Sequence, residues 1–439
     1  MIKDEIKKLL NKHHTGEQEF HEAVLSVCED LADYGQESEL LNLFERLIEP
    51  DRLIKFKVEW FDDDNILRVN RGYRVQFNNS LGPYKGGLRF HPSVNESVLK
   101  FLGFEQIFKN ALTGLPMGGG KGGADFNPKG KSDNEIRRFC WAYMEELHKY
   151  IGAERDIPAG DIGVGVREIG YLYGQFIKLT GRYSGVLTGK HPNFGGSCGR
   201  EEATGYGCVY FLEEALKYHE IKIENKRVSV SGAGNVALYT IEKLLDKNAK
   251  VLTLSDSQGT LYFKDGITRS ALDKLMDLKF SRRGQLSEFS SSEAVYRTDK
   301  TPWDIPVDIA IPCATQNEIN KEQVKTLIEN GLECICEGAN MPLTSEALNE
   351  VLKNKIIFLP GKAANAGGVA VSGFERSQNA AYWSLSRQEV DKKLQETMQE
   401  IHKNCLWGVE KKNGIVPYKS GANIYAFNKV VKTMKNLRG

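Results

Sequence analysis

No stretch of this chain approaches the roughly 20 apolar residues that a membrane-spanning helix needs. A one-sided charge is missing too. The 59 basic and 58 acidic residues leave a formal net charge of +1, which gives no support for a nucleic-acid or acidic-membrane partner. The eight cysteines (28, 140, 198, 208, 313, 334, 336 and 405) contain no C-x-x-C. Cys334 and Cys336 lie two apart in the apolar run LECICEG, on one face of a predicted strand, and no Cys or His pair follows at ligand spacing. Buried, reduced thiols are therefore expected. The eight histidines form no H-E-x-x-H, and His13-His14 is expected to be solvated on a charged N-terminal helix. No metal site is expected. The opening MIKDEIKKLLNKHH is charged throughout and lacks the apolar core of a signal peptide, so the expectation is a soluble, cytoplasmic protein. Internal repeats and low-complexity segments are absent.

What is present is an ordinary soluble composition, 41% hydrophobic and 27% charged over 439 residues. That length exceeds one hydrophobic core, so two domains are expected. Residues 115–130, LPMGGGKGGADFNPKG, place a lysine among five glycines. They invite comparison with the phosphate-binding G-x-x-x-x-G-K-[ST]. Aligning Gly120-Lys121 with the end of that template puts Leu115 at the first glycine and Gly122 at the hydroxyl position. Both fail, and the nucleotide-triphosphate reading falls with them.

The N-terminal part mixes strands and helices. Residues 66–77, ILRVNRGYRVQF, read as strand pieces. Two capping-box patterns, Ser93 with Glu96 and Ser132 with Glu135, open apolar helices, the second expected to stop at Gly152. The lysine-bearing stretch is then a loop between helices, with a short strand possible at GGADF. From 227 onward RVSVSG, KVLTLSD, VDIAIP, ECICEGA and IIFLPG alternate with helical segments, the pattern of a parallel, doubly wound sheet. The final ANIYAFNKVVKTMKNL is an amphipathic helix expected to return to the first domain. The expected α/β architecture is a substrate and oligomerisation domain over 1–192, joined by 415–439, and a Rossmann-type dinucleotide domain over 193–414.

Within the second region, Gly232-Ala233-Gly234-Asn235-Val236-Ala237 is a G-x-G-x-x-A turn that follows a β-branched strand and opens a helix. A second strand ends in Asp256, 24 residues after Gly232. That context is what the dinucleotide fingerprint requires: a tight turn at Gly232, close approach at Gly234, tight packing at Ala237, and pyrophosphate on the helix N-terminus. Asp256 at the strand end suits a ribose 2′-hydroxyl and hence NAD(H). Its neighbours Ser255 and Ser257, with Ser281-Arg282-Arg283 nearby in sequence, suit a 2′-phosphate and NADP(H). The residues alone leave both open.

A dinucleotide domain implies hydride transfer, so the other domain should hold the substrate. Lys85 in GPYKGGLRF and Lys121 are bracketed by small residues that would let a ligand approach. Lys109 interrupts an apolar helix face, and Gln106 lies three residues before it on the same face. Singly each is more often a solvated lysine; together they suit a substrate with more than one carboxylate. A desolvated lysine near other cations also becomes a usable base. Asp161, in ERDIPAGDIGVG, could complete the proton transfers, with Asp125 and Asp156 as rivals.

The motifs Gly-Pro-Tyr-Lys-Gly-Gly (82–87), Leu-Pro-Met-Gly-Gly-Gly-Lys-Gly-Gly (115–123), Ile-Pro-Ala-Gly-Asp (157–161) and Pro-Gly-Lys-Ala-Ala-Asn-Ala-Gly-Gly-Val (360–369), in this order, resemble the hexameric glutamate dehydrogenases over nearly the whole chain. The resemblance implies reversible oxidative deamination of L-glutamate to 2-oxoglutarate and ammonium, with Lys121 and Asp161 catalytic. It implies that Gln106 and Lys109 bind the α-carboxylate, Lys85 and Ser372 the γ-carboxylate, and that Gly368 and Val369 line the pocket. Thr204 and Asn235 would face the nicotinamide, with Asn340 among the cofactor-binding residues. Ser255-Asp256-Ser257 resembles the bacterial NADP-using branch, which favours NADP(H) over NAD(H). A homohexamer and a role in ammonia assimilation follow from the resemblance alone. The alternatives are NAD(H) use or another amino-acid substrate. One departure from the family is Glu201, where relatives usually have proline. Gly195-Gly196-Ser197-Cys198-Gly199 also satisfies the hydrolase G-x-S-x-G. However, KHPNF before it is no buried strand, and a flexible interdomain loop is expected there.

Overall fold

The computed structural model describes residues 2–31 and 37–438. The chain divides into two compact units, one of Met1–Cys198, Ala370–Val390 and Asn423–Gly439, the other of Gly199–Val369 and Asp391–Ala422. These limits differ from the expected boundaries at 192/193 and 414/415. One limit, between Val369 and Ala370, falls inside the helix Gly367–Ala381, so residues 370–390 join the first unit. The last helix, Tyr418–Arg438, contributes to the first unit from Asn423 onward.

In the first unit, strands β1 (Arg52–Phe61), β2 (Leu67–Asn78), β3 (Tyr84–Phe90), β4 (Gly119–Ala124) and β5 (Asp156–Gly160) form one mixed sheet in the order β1-β2-β4-β3-β5. β4 runs antiparallel to β2 and parallel to β3, which is itself parallel to β5. Leu88, Phe90 and Ala124 enter an aromatic core with helices Asp133–Leu147 and Val166–Thr180, where the Phe126 and Phe139 rings stack at 3.8 Å. The helix Glu96–Leu112 covers the other face of β4: a Cβ on Gly119 would meet Ile107, and one on Gly103 would lie 3.7 Å from the Lys121 Cβ.

Lys121 therefore stands on a central strand in which every residue is buried, not in a loop. The expectation of a loop around it is corrected. Glycine in mid-strand lowers intrinsic strand preference, so local reading favours a loop; two-sided burial overrides it.

Three smaller expectations also change. Ser132 and Glu135 form their capping box, but the helix they open ends at Leu147 rather than at Gly152. The Ser93–Glu96 box does not form. Asn95 caps instead, its Oδ1 accepting the Val98 N–H at 2.9 Å, while the Ser93 hydroxyl pairs with the His91 ring. His13 is exposed, but His14 is 2% exposed. The His14 ring lies against Phe20, 3.3 Å from the Lys100 ammonium, which the Glu17 carboxylate holds at 2.7 Å.

The second unit contains β6 (Arg227–Val230), β7 (Lys250–Val251), β8 (Thr253–Asp256), β9 (Gly259–Tyr262), β10 (Val295–Thr298), β11 (Ile309–Ile311), β12 (Cys334–Cys336) and β13 (Ile357–Leu359). Five of them make a parallel sheet in the order β13-β12-β11-β6-β7, while β10-β9-β8 form an antiparallel sheet. The chain leaves β6 for β7 on one side and later fills the other side with β11. The carboxyl end of β6 is thus the topological switch point, where open α/β sheets bind ligands. Cys334 and Cys336 are both buried on β12, and all eight cysteines are free thiols.

Candidate active site and dinucleotide site

Lys121 reaches a carboxylate. Its Nζ lies 3.0 Å from Asp161 Oδ2, and the same oxygen accepts Arg89 Nε–H at 2.8 Å. Arg89 alternates along β3 with Leu88 and Phe90, which face the aromatic core, so its side chain leaves toward the opposite face. Asp161 follows β5, the parallel neighbour of β3. Burial is the largest influence on Lys121 and lowers its pKa, with the Arg89 charge adding to that effect; the Asp161 carboxylate opposes both without restoring the ordinary 10.5. Burial would raise the Asp161 pKa, but the two cations and their hydrogen bonds outweigh it and bring it down to about 2. The result is an ionised acid beside an amine that releases its proton more readily than usual.

The rival carboxylates are committed elsewhere. Asp156 is fully buried and holds Arg74 and Gln76, with Arg74 Nε and Gln76 Nε2 at 2.9 and 3.0 Å from Oδ2. Asp125 accepts from Asn70 Nδ2 and the Arg71 backbone at 2.9 and 2.8 Å. Both pairs fasten sheet strands together.

The remaining expected substrate residues of this unit occupy two groups. Lys85 is buried on β3, and Gln106 and Lys109 are half-buried on the helix Glu96–Leu112. Asn110, absent from the sequence reading, joins these elements. Its Nδ2 donates to the Lys85 and Gly118 carbonyls at 3.1 and 2.5 Å, and its Oδ1 accepts from Gln106 Nε2 at 2.7 Å. Ser372 is buried with its hydroxyl 2.5 Å from that of Thr188, whose backbone N–H donates to Pro158 of β5 at 3.0 Å. Arg89 and Asn110 lie close in sequence to Lys85 and Lys109 but carried no charge or spacing signal of their own, and Thr188 is recruited from a distant position. Gly368, Val369 and Thr204 belong to the second unit, where a Cβ on Gly368 would meet Thr204 Oγ1 at 2.5 Å.

The fingerprint residues of the second unit fit a dinucleotide. Gly232 has φ of +84° and donates its N–H to Ser255 Oγ at 3.1 Å. Gly234 precedes the helix Asn235–Asp246, whose first turn has no side-chain cap. A Cβ on Gly234 would meet nothing within 4 Å. Open N–H groups at a helix start, with room before them, are an anion site. Val236 is half-buried behind this turn and Asn235 is exposed. Asp256 is occupied by backbone donors, Oδ1 accepting Gln258 N–H at 3.0 Å and Oδ2 accepting Leu286 N–H at 2.9 Å. The second bond draws the strand end to the segment that follows the exposed Arg282 and Arg283, and Ser257 is exposed beside it. Asn340 is exposed, its Oδ1 accepting from Asn365 Nδ2 at 2.9 Å.

The hydrolase-like Ser197 is no nucleophile. It is 3% exposed, donates to the Cys198 carbonyl and accepts from Gln378 Nε2. Among the described residues, no group of three or more His, Cys, Asp or Glu could hold a metal ion, and no helix is long and apolar enough to cross a membrane.

Residues 195–438 match the family Glutamate/Leucine/Phenylalanine/Valine dehydrogenase, and residues 50–178 match its dimerisation domain. The chain belongs to the Glu/Leu/Phe/Val dehydrogenase family. Within this family it is 52% identical to the NAD(P)-specific glutamate dehydrogenase of Xylanibacter ruminicola, over 98% of each chain. It is also 52% identical to the NADP-specific glutamate dehydrogenase of Helicobacter pylori, over 99% of each. Glutamate dehydrogenase of Plasmodium falciparum superposes with a TM-score of 0.97 at 50% identity, covering 99% of this chain and 94% of that one. The family's Rossmann-type domain corresponds to the parallel sheet around Gly232.

Proposed function

We propose that the protein is a glutamate dehydrogenase that prefers NADP(H) and interconverts L-glutamate and water with 2-oxoglutarate and ammonium. The observation that carries this reading is the buried contact of Lys121 Nζ with Asp161 Oδ2 at 3.0 Å, in a family member similar throughout its length to glutamate dehydrogenases. The nicotinamide ring, when bound, supplies the hydride acceptor or donor. Lys121 in its neutral form takes a proton at Nζ from the water that attacks the 2-carbon of the imine, and returns it as ammonia leaves. Asp161 is ionised between transfers, holds that amine in place and takes up and gives back a proton at Oδ2. Gln106 and Lys109 hold the α-carboxylate, and Lys85 and Ser372 the γ-carboxylate, with Gly368 and Val369 lining the pocket.

For the cofactor, Gly232, Gly234, Asn235 and Val236 receive the pyrophosphate, with Thr204 and Asn235 on the nicotinamide side and Asn340 contributing. Ser255 and Ser257 border the adenosine ribose. NADP(H) is favoured because both Asp256 oxygens already hold backbone N–H groups, which weakens the acid as acceptor for a 2′-hydroxyl. The family resemblance suggests a cytoplasmic homohexamer, for which light scattering should give six chains per particle.

The deciding experiment follows nicotinamide absorbance with 2-oxoglutarate, ammonium and NADPH. Oxidation is expected, and none at any pH or ammonium level overturns the enzyme reading. NADH in the same cuvette should react more slowly; equal or faster rates overturn the cofactor preference. A dehydrogenase for an apolar amino acid is disfavoured by Lys85, a buried cation on β3. An aliphatic substrate side chain has no carboxylate for this ammonium to bind. Lys85→Leu should lose glutamate activity and accept norleucine better; unchanged glutamate kinetics would remove Lys85 from the site.

A further inference from the structure

The helix Gly367–Ala381 carries more than Ser372 toward the segment at 187–190. One turn further along, Glu375 is completely buried and meets Lys190, 2% exposed, with Nζ 2.9 Å from Oε1. Two ions out of water in so small a space are costly to maintain for stability alone; an apolar pair would serve as well. The details of the contact indicate a different use. Glu375 spends its oxygens on backbone as well as on the ammonium: Oε2 accepts Gly189 N–H at 2.9 Å and Oε1 accepts Lys190 N–H at 3.3 Å. Lys190 Nζ in turn donates to the Leu187 carbonyl and lies 5.4 Å from the centre of the Tyr173 ring. The pair thus grips the chain on both sides of Thr188, through the carbonyl before it and the N–H groups after it. Thr188 is the residue whose hydroxyl meets that of Ser372. Gly189, with φ of +86°, allows the sharp bend that places these groups together.

We propose that Lys190 and Glu375 are positioning residues that set the Thr188–Ser372 hydroxyl pair, and through it the protein's preference for a substrate bearing a γ-carboxylate. This rests on the glutamate reading given above. Ser372 and Glu375 are three residues apart on one helix face, so an error in the grip on 187–190 appears directly at the Ser372 hydroxyl. A hydroxyl donor displaced by a few tenths of an ångström loses much of its bond to a carboxylate, because hydrogen bonds weaken steeply away from ideal geometry.

The test compares oxidation of L-glutamate with that of L-norvaline, which has a methyl group in place of the γ-carboxylate, using NADP+ and the full-length protein. Glu375→Gln keeps the shape of the side chain and leaves Lys190 uncompensated. The ratio of kcat/KM for glutamate to that for norvaline should fall about tenfold, mainly through KM for glutamate. In a Ser372→Ala background the same substitution should change that ratio less than about twofold, since the hydroxyl it positions is gone. A merely structural pair would lower both substrates equally, or lower the melting temperature with the ratio intact, and either result overturns the proposal. Additive effects in the Ser372→Ala background overturn it as well. If Glu375→Gln does not yield folded protein, Lys190→Arg keeps the charge but moves the donors. It should shift the same ratio about threefold, and an unchanged ratio overturns the assignment. Failure of the unsubstituted protein to oxidise glutamate would instead strike the functional reading itself.

Discussion

Gly118–Gly123, with five glycines, and Gly232–Ala237, with two, are both glycine-bearing stretches, yet Gly119 and Gly234 are opposed in what surrounds them. In the first stretch every missing side chain is replaced by protein. A Cβ on Gly119 would meet Ile107 at 2.4 Å, and one on Gly122 the Tyr73 carbonyl at 2.8 Å. A Cβ on Gly86 of the neighbouring strand would fall 1.6 Å from the Gly120 carbonyl oxygen. In the second stretch Gly234 has no atom within 4 Å of such a Cβ. Glycine in β4 lets sheet and helix close around a single lysine. Glycine before the helix Asn235–Asp246 leaves space for something that is not protein. The same residue type marks tight packing in one unit and a ligand approach in the other, and only the neighbouring atoms tell them apart.

The largest effect expected is at the lysine that the first stretch encloses. Lys121→Ala should lower kcat by about 10²–10⁴-fold, the range for losing a positioned proton-transfer group, while NADPH binding followed by fluorescence stays near that of the unsubstituted protein. Substantial residual turnover would show that the packed strand is only scaffold.

Next in size is the packing itself. Gly86→Ala should destabilise the first unit by about 3 kcal/mol, the upper part of the overpacking range, visible as a lower urea midpoint. An unchanged midpoint would mean that the strands have room the contacts deny.

The matching change in the second unit should act in the opposite sense. Gly234→Ala should weaken NADPH binding severalfold while changing stability by less than about 1 kcal/mol, since only a helix-cap preference is disturbed. Loss of stability without loss of affinity would erase the contrast between the two stretches.

The smallest expected effect is a displacement on the pH axis. The Lys121 pKa is lowered by burial and held up in part by Asp161. Asp161→Asn should therefore shift the limb of the residual rate assigned to Lys121 to lower pH, by about one unit if the lost interaction is near 1.4 kcal/mol. A shift to higher pH would contradict the electrostatics of the pair. Stability follows with a definite sign. Asp161 titrates at about 2 in the fold against an ordinary 3.8. Its contribution is thus present above pH 3.8 and drains away as pH falls through 2.

Much of the second unit was legible because its signals are local. A β-branched strand, a glycine turn and a helix start lie side by side in VSVSGAGNVAL, and each constrains its own backbone. β6 and the Gly234 cap fall where the residues place them, whereas the strand expected over KVLTLSD is split into β7 of the parallel sheet and β8 of the antiparallel one, which ends at Asp256. The first unit was read less well at its centre. GGGKGGA resembles a loop because mid-strand glycine is disfavoured in isolation; helix Glu96–Leu112 on one side and the strands flanking β4 reverse that preference. The Ser93 box failed for a similar reason, a competing bond from His91 within reach of the same hydroxyl.

What the sequence by itself determined was the chemistry available: a dinucleotide turn, a set of lysines among small residues, and the four motifs that mark the family. The motifs pointed to Asp161 through the family resemblance, and tertiary structure supplied the physical reason that this carboxylate lies beside Lys121. Asp125, Asp156 and Asp161 are alike as residues, and their spacing does not rank them. Sheet pairing gives Asp156 to Arg74, leaves Asp125 with Asn70 and Arg71, and delivers Asp161 to Lys121 and Arg89. Charge interactions depend on distance through space, and that distance is set by strand order rather than by separation along the chain.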